Sequence, residues 1–201
     1  MCSSADPNNC GKQRVLLRGL RDRQRTVKLM LDETIFTETP PLRAMYAPVG
    51  EQAEVSITGN REKRVVHGVI NVGTGHTELL ITRDWNQEIH QAFLRQIRQA
   101  WRGWHIVLFE DNSSPHTAGA SQELAQELNI EIRWLPVATP ELNAMEGLWR
   151  RVKDRTVANR TTRSIDESVD AACRYILDLR PRERLHQAGI LSGNFWLVKK
   201  T

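Results

Sequence analysis

Hydrophobic residues recur along the chain with two periods, which together predict a mixed α/β domain. Short apolar runs rich in β-branched or aromatic residues predict five strands, over residues 27–36, 64–72, 78–82, 104–109 and 130–135. Apolar residues spaced three and four apart predict helices over residues 86–100, 121–128 and 141–158, and the sequence Ser164-Ile165-Asp166-Glu167 is typical of a further helix start. The predicted order is therefore βββ-α-β-α-β-α-α.

The connections between these elements predict the sheet. Gly73-Thr74-Gly75 joins the second and third strands in a way that is typical of a hairpin turn, so the first three strands are predicted to form an antiparallel meander. The fourth and fifth strands each follow a helix, which indicates parallel strands. We expect an α/β fold with a five-stranded mixed sheet and helices on both faces.

The length of 201 residues favours one domain with short extensions. We predict a basic N-terminal extension over residues 1–24 and a single folded domain over residues 25–201. No apolar run approaches the ~20 residues of a membrane span, and the first residues lack the pattern of a signal peptide. A cytoplasmic protein without a membrane partner is therefore expected. The three cysteines contain no C-x-x-C pair, which argues against a disulfide framework and a cysteine-type zinc site.

Charge is distributed unevenly along the chain. The net charge is +5 over residues 1–30, −7 over residues 31–146 and +6 over residues 147–201. An acidic centre between basic ends is typical of a site that concentrates carboxylates for cations while its surroundings bind phosphates. Helix faces that segregate their solvated charges give the same pattern, so charge alone leaves both interpretations open.

Three carboxylates are singled out by their positions in the predicted topology. Asp32 ends the first strand and Asp111 ends the fourth, so the two meet at one edge if these strands are neighbours. Glu146 lies one turn into the following helix, within reach of that edge. Converging carboxylates repel one another unless cations lie among them, and an all-oxygen set suits Mg²⁺ or Mn²⁺ better than Zn²⁺. The hypothesis is a two-metal site for phosphoryl transfer.

The competing interpretation is that these are ordinary surface charges, as most of the 24 acidic residues must be. Asp32 and Asp111 are harder to explain in this way, because each closes an apolar strand where an uncompensated charge is costly. Glu33 and Glu110 are second choices, since strand alternation points them to the opposite face.

These residues belong to a longer pattern that resembles a known family. The segments LDET at 31–34, EDNSSPH at 110–116 and LPVATPELNAMEGLW at 135–149 resemble the DDE transposases of the mariner-like superfamily, particularly its bacterial insertion-sequence branch. The resemblance extends from about residue 25 to FWL at 195–197. Between Asp111 and Glu146 lie 34 residues, which is the characteristic spacing in one large branch of that superfamily.

The resemblance implies a ribonuclease-H-like catalytic domain in which Asp32, Asp111 and Glu146 bind two Mg²⁺ ions, with Mn²⁺ as a substitute. It implies hydrolysis at a transposon end, followed by attack of the freed 3′-hydroxyl on target DNA. Three residues match supporting positions of the motif and are expected to hold the site in place or to contact DNA: Asn112, His116 and Asn143.

Two cations follow Glu146 on the same helix. Arg150 and Lys153 lie four and seven residues after Glu146, so all three share one helix face. This places positive charge beside the predicted metals, where a DNA phosphate would lie. The alternative is an ion pair between Arg150 and Glu146.

The resemblance also implies partners. Double-stranded DNA, as transposon ends and target, is the expected substrate, bound by a homodimer. Full-length relatives carry helix-turn-helix domains ahead of the catalytic domain, whereas about 25 residues precede the first predicted strand here. Three interpretations of the chain stay open: an isolated catalytic domain, the second product of a split or frameshifted element whose separate N-terminal product carries the helix-turn-helix domain, or a remnant of a decayed element. We expect the protein to be associated with the nucleoid when it is bound to DNA.

Two departures from the family pattern keep alternatives open. Thr139-Pro140 and Asn143-Ala144 stand where the family usually has Ser-Pro and Asn-Pro. Together with the short N-terminus, Ala144 motivates a second hypothesis, a catalytically inactive DNA-binding or regulatory remnant of a transposase. A third keeps the fold but takes an RNA–DNA hybrid or a Holliday junction as substrate, against which the motif spacing speaks.

Overall fold

The computed structural model describes residues 25–197 except residues 53, 58 and 60. The strands are β1 (Thr26–Thr37), β2 (Lys63–Asn71), β3 (Thr77–Thr82), β4 (His105–Glu110) and β5 (Ile130–Trp134). The α-helices are α1 (Gln87–Ala100), α2 (Ser114–Thr117), α3 (Gly119–Glu127), α4 (Ala144–Thr156), α5 (Ile165–Asp178) and α6 (Pro181–Gln187). Short 3-10 turns cover Pro140–Leu142 and Ile190–Ser192. The predicted basic extension over residues 1–24 lies outside the described residues.

The five strands form one mixed sheet in the order β3-β2-β1-β4-β5. β1, β2 and β3 pair antiparallel, whereas β1 pairs with β4, and β4 with β5, in parallel. The predicted meander with two added parallel strands is therefore confirmed. No helix among the described residues is long and apolar enough to cross a membrane.

Strand alternation divides the core into two layers, one on each face of the sheet. Met30 and Phe109 face α4 and α5, where they pack with Met145, Leu148 and other helix residues. Leu29, Leu31, Ile106 and Leu108 face the other side, where they pack with α1 and α3. Both faces of the sheet are covered, which explains the nearly continuous apolar runs of β1 and β4.

The predicted positions of Asp32 and Glu146 within their elements were wrong, although the first predicted strand, over residues 27–36, matches β1 closely. Asp32 lies in the middle of β1, because β1 continues to pair with β2 as far as Thr37. Its pairing with β4 ends at Met30, so Asp32 still lies just beyond the parallel pairs. The helix that carries Glu146 begins at Ala144 instead of residue 141, since the side chain of Asn143 accepts a hydrogen bond from Met145 N and caps the helix there.

Gly68 allows α4 to pack closely on the sheet, and we expect Gly68→Ala to destabilise the protein. Gly68 lies opposite Asp32 in the β1–β2 register, and a Cβ there would lie 2.5 Å from Met145 Cε and 2.6 Å from Trp149 Cζ2. Overpacking of this kind costs about 1–3 kcal/mol, which corresponds to a loss of several degrees in Tm. Thermal unfolding followed by circular dichroism measures it. Gly119→Ala is the matched control, because a Cβ there meets nothing within 4 Å; equal Tm values for the two variants would contradict close packing at Gly68.

Candidate active site

The structure brings the three predicted carboxylates to one pocket. Asp32 from β1, Asp111 from the loop after β4 and Glu146 from the first turn of α4 line a pocket of about 360 Å³ at the edge of the sheet. The Pro136–Pro140 connection lines the same pocket, as do Asn112 and Asn143. The convergence predicted from the topology is therefore present, although neither Asp32 nor Glu146 has the position within its element that we predicted.

Asp32 is the most buried of the three carboxylates. Burial, and then the neighbouring charges of Glu33, Glu146 and Asp111, raises the pKa of Asp32 from 3.8 to about 8. Its Oδ2 atom is buried and has no hydrogen-bond partner among the described residues. An unpartnered carboxylate oxygen in a pocket shared with two other carboxylates fits a hard divalent cation, because the cation would satisfy the oxygen and cancel the repulsion.

Asp111, unlike Asp32, is kept ionised, and His116 is the main cause. The Nδ1 atom of His116 lies 2.8 Å from Asp111 Oδ1, and the backbone N–H of Ser113 donates to the same oxygen at 3.1 Å. The hydrogen bond with His116 is the main reason that the pKa of Asp111 falls to about 2. Asp111 is therefore an oriented, ionised carboxylate at the wall of the pocket.

His116 is buried between two carboxylates. Its Nε2 atom lies 2.9 Å from Glu33 Oε1 on the far side of the ring from Asp111. Burial alone would lower the pKa of His116, but the hydrogen bonds with Asp111 and Glu33 raise it to about 11. The doubly protonated ring donates one N–H to each carboxylate and so connects Asp111 to β1.

The two asparagines of the motif hold backbone in place. Asn143 Nδ2 donates to Leu31 O at 2.9 Å, so the residue that caps α4 also ties this helix to β1 beside Asp32. Asn112 Nδ2 donates to Leu135 O at 2.9 Å and ties the Asp111 loop to the segment after β5. Ala144 keeps an N–H, which proline would lack, and this N–H contacts Met30 Sδ at 3.3 Å.

The two predicted DNA-binding cations lie on α4 in different environments. Arg150 is exposed. Lys153 is partly buried, with Nζ 5.5 Å from the centre of the Phe36 ring. Burial lowers the pKa of Lys153, while the charges of Glu146 and Asp32 oppose that shift. Lys153 is therefore within electrostatic range of the carboxylate pocket.

A second group of polar residues lies behind the pocket, and the sequence analysis missed it. We call it the histidine cluster; it consists of Glu33, His67, His90, Glu110 and His116. Glu33 and Glu110 do point to the opposite face from Asp32, as alternation predicts, but that face is not solvent, because α1 covers it. The signal available in the sequence was the presence of His67 and His90 at inward-facing positions of β2 and α1.

Comparison with known proteins identifies the family that this chain is similar to. A sequence model described as DDE superfamily endonuclease matches residues 28–168. The Insertion element IS630 uncharacterized 39 kDa protein of Shigella sonnei is 25% identical over 130 residues, which cover 64% of this chain and 38% of that protein. An uncharacterized protein of Sinorhizobium fredii is 32% identical over 87 residues, which cover 43% of this chain and 62% of that protein. The chain thus matches less than two thirds of either relative.

Solved structures share the fold. The Mos1 transposase paired-end complex with left transposon end superposes with a TM-score of 0.69 at 16% identity, over 97% of this chain and 62% of that chain. The catalytic domain of Mos1 mariner transposase gives a TM-score of 0.64 at 15% identity, over 98% of this chain and 94% of that chain. The ribonuclease-H-like fold expected from the motifs is therefore confirmed.

Proposed function

Because the chain belongs to the DDE superfamily endonucleases, we propose that it is the catalytic domain of a transposase, which cuts DNA at a transposon end and joins the end to a target. The observation that carries this proposal is the pocket in which Asp32, Asp111 and Glu146 converge. Two of the solved structures with this fold are Mos1 paired-end complexes with Mn and with Mg. The all-oxygen donor set and the unpartnered Oδ2 of Asp32 support the same class of cation here.

Asp32, Asp111 and Glu146 would together hold two divalent cations, Mg²⁺ or Mn²⁺. Such ions, when bound, activate the attacking water or 3′-hydroxyl and stabilise the leaving oxygen of an in-line displacement. The protein residues provide the geometry. His116 and Ser113 orient Asp111, Asn143 fixes the start of α4 relative to β1, and Asn112 anchors the Asp111 loop.

Nicking of supercoiled plasmid by the purified 201-residue chain tests this function. We expect nicked and linear DNA in Mg²⁺ or Mn²⁺, and no product in EDTA. Parallel reactions on duplex DNA, an RNA–DNA hybrid and a Holliday junction separate the proposed substrate from the other two. If no substrate is cut and Mn²⁺ leaves the Tm unchanged, the chain is the inactive remnant instead.

Size-exclusion chromatography with multi-angle scattering on transposon-end DNA tests the proposed homodimer.

Lys153 is proposed to contact a DNA phosphate next to the carboxylate pocket, with Arg150 one turn away on α4. We expect Lys153→Met to weaken binding of duplex DNA at low salt and to reduce the slope of log K against log salt by about 1, because one phosphate contact is lost. Methionine removes the charge that lies over the Phe36 ring, and its flexible thioether side chain can still pack against that ring. Fluorescence anisotropy across a salt series measures both quantities.

Arg174→Met is the matched control for this substitution, since Arg174 lies exposed on α5 and its Nε donates to the backbone O of Asp170. An unchanged salt slope for Lys153→Met, or an equal change in Arg174→Met, would remove Lys153 from the proposed DNA-contacting surface.

A further inference from the structure

The histidine cluster contains donor atoms arranged for a second, different cation. One ligand atom from each of Glu33, His90 and His116 lies within 4.8 Å of the others. The His90 and His116 rings are 4.4 Å apart between centroids. The three residues come from β1, α1 and α2, so only the folded chain brings them together.

Two members of the cluster have polar atoms without partners. His90 and Glu110 are both 0% exposed, and neither the two ring nitrogens of His90 nor the two carboxylate oxygens of Glu110 has a hydrogen-bond partner among the described residues. The His90 Nε2 and Glu110 Oε2 atoms are 3.7 Å apart, which is too long for a hydrogen bond. Buried polar groups are nearly always satisfied, so two adjacent exceptions point to a missing ligand.

We propose that the histidine cluster binds one Zn²⁺-type cation through His90, His116 and Glu33, with Glu110 as a neighbouring carboxylate. Two imidazoles with a carboxylate form a mixed nitrogen and oxygen donor set, which Zn²⁺ accepts and Mg²⁺ does not favour. Ligands of a tetrahedral ion with bonds of about 2.0 Å lie roughly 3.3 Å apart. The 2.9 Å between His116 Nε2 and Glu33 Oε1 is near that separation.

Asp111 is positioned to accept a hydrogen bond from the nitrogen of His116 that would not bind the cation. Histidines that bind metals usually donate their other N–H to a carboxylate, and His116 Nδ1 lies 2.8 Å from Asp111 Oδ1. The cation replaces the proton that Nε2 otherwise shares with Glu33, and this proton is released to solvent. The bound ion thereby fixes the ring that orients Asp111, without itself lying in the carboxylate pocket.

A chain with a disabled carboxylate pocket separates the two cation sites. In Asp32→Asn/Glu146→Gln the pocket loses two of its three carboxylates, whereas every residue of the histidine cluster remains. We expect about one equivalent of Zn²⁺ per chain after dialysis, by inductively coupled plasma mass spectrometry. Adding His90→Ala should weaken Zn²⁺ binding at least roughly tenfold. Adding His105→Ala is the matched control, because His105 lies on β4 and pairs with Glu131 outside the cluster.

Absence of Zn²⁺ from the double variant, or equal Zn²⁺ binding with His90→Ala and with His105→Ala, would overturn the proposal. If the His90→Ala chain does not fold, the visible absorption spectrum of Co²⁺ added to the Asp32→Asn/Glu146→Gln variant tests the site instead. Intense visible bands of four-coordinate Co²⁺ support the site, and the weak spectrum of six-coordinate Co²⁺ contradicts it. The readout is metal content, so its failure leaves the proposed DNA cleavage untouched.

Discussion

Asp32→Asn will abolish metal-dependent plasmid nicking while leaving the protein folded. Asp32 lines the pocket together with Asp111 and Glu146, and the metal chemistry proposed there supplies several kcal/mol of transition-state stabilisation. Loss of that stabilisation corresponds to a decrease of at least about a thousandfold in the cleavage rate. Asparagine has the same shape as a protonated aspartic acid, which is the form that a pKa of about 8 favours at neutral pH without a cation.

The stability of this variant separates catalysis from folding. The pKa of Asp32 is raised in the folded protein, so the folded state binds more protons than the unfolded state between pH 3.8 and about 8. Asp32 therefore lowers the stability of the metal-free protein progressively as pH rises through that window, and the substitution by asparagine removes this effect. We expect equal Tm values for the two proteins near pH 4 and a higher Tm for Asp32→Asn at pH 9, in EDTA.

Asp170→Asn is the matched control for Asp32→Asn, because Asp170 is an exposed residue of α5. It should nick plasmid at the rate of the unsubstituted chain. Nicking by Asp32→Asn at more than a tenth of that rate would show that Asp32 is not a metal ligand, and the proposed assignment of all three carboxylates would then be wrong.

The fold could be predicted because hydrophobic periodicity and strand order constrain it strongly. The glycine-bracketed turn at Gly73-Thr74-Gly75 joins β2 and β3 as predicted, and Ser164 accepts from Glu167 N at the start of α5. The positions of Asp32 and Glu146 within their elements were less predictable. β1 extends past Asp32 because β2 supplies its hydrogen bonds, and α4 starts late because Asn143 caps it. The end of β1 and the start of α4 both depend on contacts that hydrophobic periodicity does not reveal.

The carboxylate pocket could be predicted from the strand topology, whereas the polar residues around it could not. Asp32 and Asp111 follow apolar stretches of two neighbouring strands, so topology alone brings them together. The histidine cluster joins residues from three strands and two helices, and none of its pairs has a spacing that indicates a contact. His116 was predicted as a supporting residue, yet its second partner, Glu33, lies 83 positions away in the chain.

His116→Gln will reduce cleavage by roughly 10- to 100-fold, the usual effect of losing a residue that orients a metal ligand. The glutamine amide donates at one end only, so it cannot reach Asp111 and Glu33 at once, whereas His116 spans 2.8 Å to one and 2.9 Å to the other. Asp111 then samples several orientations, and its affinity for Mn²⁺ falls. We expect a weaker Mn²⁺-induced rise in Tm together with partial recovery of cleavage at high Mn²⁺, which a misfolded chain would not show.

The same geometry predicts that Glu33 acts on Asp111 through His116, and a double variant tests this directly. If Glu33 acts on Asp111 only through His116, Glu33→Gln and His116→Gln remove one interaction, and the double variant should cleave about as fast as the slower single variant. His105→Gln, outside the histidine cluster, is the matched control and should cleave normally. Effects of Glu33→Gln and His116→Gln that multiply in the double variant would mean that Glu33 supports the site independently, through His67 and β2 instead of through His116.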